Sequence, residues 1–201
     1  MTELVIATRN AHKTREIQQI LVPKFTVRDL RTHSAISEIP ETGISFEENA
    51  RFKAVAVLQR FPDLVIADDS GLEVDALGGA PGVYSARYAG IKASEKEKID
   101  KLLRELASVG AINDARRARF RCVLALACRG NLLGSVEGVV EGRIADKARG
   151  SGGFGYDPIF IPEGFQQTFG ELPAEVKNTI SHRAKAIRRL ATKLRQLEPR
   201  D

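Results

Sequence analysis

Leu64-Val65-Ile66-Ala67-Asp68-Asp69-Ser70-Gly71-Leu72-Glu73-Val74 is the stretch on which the reading of this chain turns. The apolar run Leu64 to Ala67 reads as a buried strand. A strand that ends in two acids and then turns at Ser70-Gly71 puts negative charge at a sheet edge. A divalent cation can be held there and a water deprotonated. Adjacent carboxylates repel, so keeping both ionised requires a cation or hydrogen-bond donors. Neighbours in a strand point to opposite faces. One of the two acids is therefore expected to face a metal while the other holds the turn through backbone amides. A plain turn-capping acidic pair is the simpler alternative.

Working outward, Leu4 to Thr8 reads as a first strand, and Asn10 or a neighbour caps the helix that follows. Ile17, Ile20 and Leu21 give that helix an apolar stripe, and Pro23 ends it. Phe25 to Leu30 is a second strand, and residues 31–43 form a loop whose end joins an acidic stretch from Glu38 to Glu48. Ser45 and Glu48 have the spacing of a capping box. The helix they open repeats Phe46, Ala50, Ala54, Val57, Leu58 and Phe61 on one face.

Beyond the central strand, Leu77 to Gly82 is a glycine-rich turn, and Ser94 starts a charged helix running to about Ala107. Residues 118–128 and 132–140 alternate around Arg129-Gly130-Asn131, a hairpin signal. A second glycine-rich stretch, Gly150 to Gly155, leads into Tyr156 to Ile161. Ala174 to Thr179 is a short helix, and His182 to Leu197 a longer one burying Ala184, Ile187, Leu190, Ala191 and Leu194. Strands and helices mix throughout without repeat or linker. The expected fold is α/β, a mixed sheet with flanking helices, in a single domain over residues 1–201.

Bulk properties narrow the function classes. The 201 residues, 43% hydrophobic and 28% charged, suit a globular chain with a substantial core. A net charge of +5 favours anionic ligands without separating a nucleotide from a nucleic acid. Cys122 and Cys128 would lie about 20 Å apart along one strand, too far for a disulfide, and read as core thiols in a reducing compartment. The acidic N-terminal stretch lacks a signal-peptide pattern, and no apolar run approaches membrane length. The expectation is a cytoplasmic protein with neither a membrane nor a stable nucleic-acid partner.

Four groups of residues carry chemistry. In Thr8-Arg9-Asn10-Ala11-His12-Lys13 a strand, polar turn and helix start present free amides and the positive helix end to a phosphate. Lys13 can reach a phosphate oxygen, although the glycines of a Walker loop are missing. Asp68 and Asp69 form the second group. In the third, Phe154-Gly155-Tyr156-Asp157, an aromatic on a glycine turn is suited to stack on a base. Lys177 with Ser181-His182-Arg183 is the fourth. Basic residues in a helix's first turn oppose its dipole, a broken local rule that hints at function.

Together these stretches resemble the inosine triphosphate pyrophosphatases. The similarity runs from Thr8–Lys13 through Glu41-Thr42-Gly43-Ile44-Ser45-Phe46-Glu47-Glu48-Asn49-Ala50 to Ala67-Asp68-Asp69-Ser70-Gly71-Leu72. It continues through Gly78–Tyr88 and Gly152–Pro158 to Lys177 and Ser181–Arg183, about nine-tenths of the chain in the family's order. The resemblance implies hydrolysis of deaminated purine nucleoside triphosphates (ITP, dITP, XTP) between the α and β phosphates. It also implies an elongated two-lobed fold with a central cleft, Mg2+ as cofactor and a homodimer. By the same resemblance Asp69 would be general base and metal ligand, with Glu41 the second metal ligand. Thr8, Arg9, Asn10, Ala11, His12 and Lys13 would hold the phosphates, with Ser70 adding a donor. Phe154, Gly155, Tyr156, Asp157, Lys177, His182 and Arg183 would enclose and read the base. Arg9 stands where the family more often has a small or uncharged residue; it would either add a phosphate contact or point to solvent.

Overall fold

The structure, a computed structural model, describes residues 2–21, 25–33, 36–37, 39–61 and 64–197. Along the chain come β1 (Thr2–Ile6), α1 (Ala11–Leu21), β2 (Phe25–Asp29), α2 (Phe46–Leu58), β3 (Leu64–Val74) and α3 (Glu95–Ser108). They are followed by β4 (Arg117–Cys128), β5 (Asn131–Ile144), β6 (Phe160–Pro162), α4 (Ala174–Ile180) and α5 (His182–Leu197). The strands hydrogen-bond in the order β2-β1-β3-β4-β5-β6. β1 pairs in parallel with β2 and with β3, whereas β5 and β6 are antiparallel. The sheet is mixed and helices flank it, as expected.

One expectation is corrected. The central strand does not turn after its acids: β3 continues through Ser70 and Gly71 to Val74. Leu72 and Val74 are fully buried, which gives the strand an apolar reason to go on. The charge of the two acids is met by cations rather than by a turn. The capping box at Ser45 is half formed: Ser45 Oγ accepts from the Glu48 amide, but Glu48 Oε2 accepts from Ile44 N instead of the Ser45 amide. The complete box sits at Ser94, where Glu97 answers the serine. Pro23 and Glu38 lie outside the described residues.

The chain divides into two compact units. The first takes the residues up to Asp69, Cys122–Gly138 and the chain from His182; the second takes Ser70–Arg121 and Val139–Ser181. In the first unit Leu4, Ile6 and Ile66 of the sheet pack with Ile17 and Leu21 of α1 and with Ile187, Leu190 and Leu194 of α5. These are the stripes that helical spacing marked. Cys122 joins that core, and both cysteines are free thiols. In the second unit Leu102 and Leu106 of α3 pack with Leu72, Val74, Phe160 and Phe169.

Candidate active site

In the first unit, the turn between β1 and α1 is built as its polar sequence requires. Asn10 Oδ1 accepts from the amides of His12 and Lys13 at 2.9 and 3.2 Å, capping α1, and Thr8 Oγ1 accepts from Asn10 N at 3.1 Å. Ala11 opens the helix and His12 is exposed. Arg9 is an exposed residue whose guanidinium is nonetheless engaged by the protein. Its guanidinium donates to the carbonyls of Leu30 (2.7 Å), His33 (3.1 Å) and Ile36. Arg9 therefore braces the turn against the segment after β2.

Because β3 is extended, its two acids face apart, and each meets a different set of cations. Asp68, with a fully buried side chain, takes Lys13 Nζ on Oδ1 and Arg183 Nε on Oδ2, the latter at 2.8 Å. Arg183 also donates to Glu16, and Cys122 Sγ lies 3.3 Å from Asp68 Oδ2. Burial works to raise the Asp68 carboxyl, but Arg183 and Lys13 outweigh it and hold the group well below the usual carboxylate range. Arg183, 1% exposed, is fixed by two carboxylates.

Asp69 faces Lys53 of α2. Lys53 Nζ lies 2.8 Å from Asp69 Oδ1, 2.8 Å from Glu41 Oε1 and 2.7 Å from the Asp68 carbonyl. Burial and the neighbouring Glu41 charge push the Asp69 carboxyl up to about 6, against the opposing pull of Lys53 and Lys13. Glu41 goes the other way: burial raises it, yet Lys53 and Lys13 bring it below its ordinary value. Asp69 thus has the environment of a base poised near neutral pH.

Two observations bear on a metal. Asp69 Oδ2 is buried and has no hydrogen-bond partner among the described residues, so an acceptor stands ready for a cation or a water. Among the described residues no group of three or more His, Cys, Asp or Glu side chains gathers into an all-protein cage. Two carboxylates, with the rest of the shell left to water and phosphate oxygens, match the usual habit of Mg2+. The donor set fits.

The second unit holds Ser70, half-buried in β3, and the base-reading candidates of the glycine turn. Gly153 and Gly155 adopt φ of +73° and +64°, and a Cβ on Gly153 would stand 2.0 Å from Asp157 Oδ2. That close approach lets Asp157 Oδ2 accept from Phe154 N at 2.7 Å and from Lys177 Nζ at 2.5 Å. The Lys177 ammonium sits 4.9 Å from the centre of the Phe154 ring. Tyr156 is buried, with its hydroxyl donating to the Ser85 carbonyl at 3.0 Å. Its aromatic ring packs in the core of this unit. His182 opens α5 in the first unit and is buried.

Lys53 and Glu16 were not singled out from the sequence. For Lys53 the signal was present: it falls three residues after Ala50 and four before Val57, on the apolar stripe of α2, where a charge has no business without partners. Glu16 carries no comparable mark beyond its spacing of three from Lys13.

A mixed sheet that carries buried carboxylates neutralised by lysine and arginine, with a side-chain-capped turn at the start of a helix, defines an α/β protein of the class that handles phosphorylated ligands. The chain belongs to the Ham1 family, whose model matches residues 4–193. It is 50% identical over 192 residues to the dITP/XTP pyrophosphatase of Bacillus subtilis strain 168, covering 95% of this chain and 96% of that one. The dITP/XTP pyrophosphatase of Listeria monocytogenes serotype 4b is 47% identical over 199 residues, 98% and 97% of the two chains. Among solved structures, a HAM1 protein from Coxiella burnetii superposes with a TM-score of 0.86 at 40% identity over 98% of this chain and all of the other. The Staphylococcus aureus Ham1 protein gives 0.85 at 41% identity, with the same coverage.

Proposed function

We propose that this protein hydrolyses deaminated purine nucleoside triphosphates, dITP, ITP and XTP, to the monophosphate and pyrophosphate. The observation that carries the reading is Asp69, a buried carboxylate raised to about 6, one of whose oxygens lacks a partner among the described residues. It accepts the proton of the attacking water and, with Glu41, holds Mg2+. That ion supplies charge neutralisation at the phosphate oxygens when bound. Lys13 and the polar turn that begins at Thr8 bind the phosphates, with Ser70 as a further donor. Phe154, Gly155, Tyr156, Asp157, Lys177, His182 and Arg183 read the base. Donors aimed at a 6-oxo group meet the 6-amino group of adenine donor to donor, which costs about 1–3 kcal/mol per unpaired buried group.

The protein acts in the cytoplasm as a homodimer. Ile44, Phe52 and Val55 leave apolar surface on and beside α2 that a second copy would cover, at 87%, 50% and 44% exposure. A modified-pyrimidine pyrophosphatase and a nucleic-acid-binding protein are not favoured.

The test is incubation of the purified protein and Mg2+ with ITP, and separately with ATP, GTP and a pyrimidine triphosphate, with pyrophosphate and orthophosphate measured apart. Pyrophosphate from ITP, with little from ATP or GTP, is the expected result. Orthophosphate would mean a terminal phosphatase and a misplaced water. Light scattering on the eluting protein reads the dimer.

A further inference from the structure

Lys53 occupies an unusual position for a lysine. Its side chain is 9% exposed, on the buried face of α2, and its ammonium contacts both carboxylates that the proposed function assigns to a metal. An ammonium has three donor hydrogens, and the three contacts of Lys53 Nζ use all of them, on Glu41 Oε1, Asp69 Oδ1 and the Asp68 carbonyl. A buried cation held by two acids is therefore part of the protein itself.

We propose that Lys53 is a resident stand-in for the metal, a positioning residue that keeps Glu41 and Asp69 together when no divalent ion is bound and that competes with that ion for them. The inference rests on the function proposed above. Without Lys53, two carboxylates in one buried place would repel each other and lose the group that holds them together. With it, the pair is preformed, and a divalent ion has to share or displace a positive charge to enter. The lysine therefore sets metal affinity low and makes occupancy depend on what the substrate phosphates add. Lys53 engages Asp69 Oδ1 and leaves Oδ2 without a hydrogen-bond partner among the described residues, so the carboxylate would keep an acceptor for an ion while the lysine stays in place.

The experiment measures Mn2+ binding, by calorimetry and by the paramagnetic resonance of free Mn2+, to the wild-type protein and to Lys53→Met and Lys53→Arg. Removing the charge should tighten Mn2+ binding by about tenfold to a hundredfold, the range over which groups beside a metal tune its affinity. Lys53→Arg keeps the charge and should bind no more tightly than wild type. Added Mn2+ should also raise the melting temperature of Lys53→Met further than that of wild type. Should Lys53→Met fail to fold without metal, recovery of its circular dichroism on adding Mn2+ supports the inference, and failure to recover overturns it. Equal or weaker Mn2+ binding by a folded Lys53→Met also overturns it. That result, in a wild type that binds Mn2+ and releases pyrophosphate from ITP, leaves the proposed function standing. A wild type that does neither defeats the proposed function itself.

Discussion

Arg183 Nε donates to Asp68 Oδ2 at 2.8 Å, joining the start of α5 to the middle of β3 across 115 positions of sequence. Both side chains are buried, at 1% and 0% exposure, and Lys13 closes on the other oxygen of the same carboxylate. A buried charge cluster of this kind stabilises only while every member has its partner.

Asp68→Asn leaves Arg183 and Lys13 facing a neutral amide and should cost about 3–5 kcal/mol, read by urea denaturation at pH 7. The pH dependence follows from the depressed carboxyl of Asp68. A group whose folded pKa lies below its unfolded value contributes stability fully above the unfolded value, about 3.9. That stability is lost as pH falls through the folded value. Wild-type stability should therefore decline steeply in acid, and Asp68→Asn should lose part of that slope. An identical acid limb in the two proteins would show that the pair contributes nothing to it.

Asp69 titrates in the opposite direction, with burial pushing its carboxyl up to about 6. Only the ionised form can take a proton from water, so activity is present above that value and falls as pH drops through it. Because kcat/KM reports the free enzyme, its profile should fall about tenfold per pH unit below pH 6. Asp69→Asn should abolish turnover while leaving the far-ultraviolet spectrum unchanged. Normal turnover in that variant would remove Asp69 as the base.

Much of the fold was legible because its signals are local. The apolar stripes of α1, α2 and α5 and the hairpin signal at Arg129-Gly130-Asn131 depend on residues close in sequence, and the elements appear where they were expected. The course of β3 was not legible. Ser70-Gly71 has the chemistry of a turn, yet Leu72 and Val74 find a core, and their burial outweighs local preference. The site splits along the same line. Asp68 and Asp69 announce themselves by adjacency, and their opposite orientation follows from strand geometry. The choice of Lys53 for one and Arg183 for the other is a matter of tertiary placement. The carbonyl contacts of Arg9 have no sequence signature at all, because any residue supplies a carbonyl.

Phe154 tests the base-reading group. Its amide is held by Asp157 and its half-buried ring lies beside the Lys177 ammonium. Phe154→Ala should weaken binding of inosine triphosphate by about 1–3 kcal/mol, the usual worth of one base stacked on an aromatic. Pyrophosphate, which has no base, should bind both proteins alike. An equal loss for pyrophosphate would make Phe154 a structural residue of the turn.

Gly138 of β5 packs against the start of α5. A Cβ there would stand 2.1 Å from the His182 carbonyl oxygen and 2.4 Å from Ala186 N, both backbone atoms that cannot rotate away. Gly138→Ala should therefore destabilise by about 1–3 kcal/mol or more as α5 is pushed off the strand. A melting temperature equal to that of wild type would mean that α5 shifts at no cost.

Arg9 separates bracing from direct phosphate binding. Its guanidinium is engaged by the carbonyls of Leu30, His33 and Ile36, and Thr8 O accepts from Leu30 N at 3.0 Å in the same seam. Hydrogen bonds from a charged group are worth about 1.5–3 kcal/mol each. Arg9→Ala should therefore loosen residues 30–33 and speed their amide hydrogen exchange while leaving the exchange of α5 unchanged. KM for the triphosphate should rise through the loosened turn. Its dependence on ionic strength should stay parallel to that of wild type, because no phosphate charge has lost its partner. A shallower salt dependence with unchanged exchange at residues 30–33 would instead make Arg9 a phosphate ligand and its bonds to the carbonyls incidental.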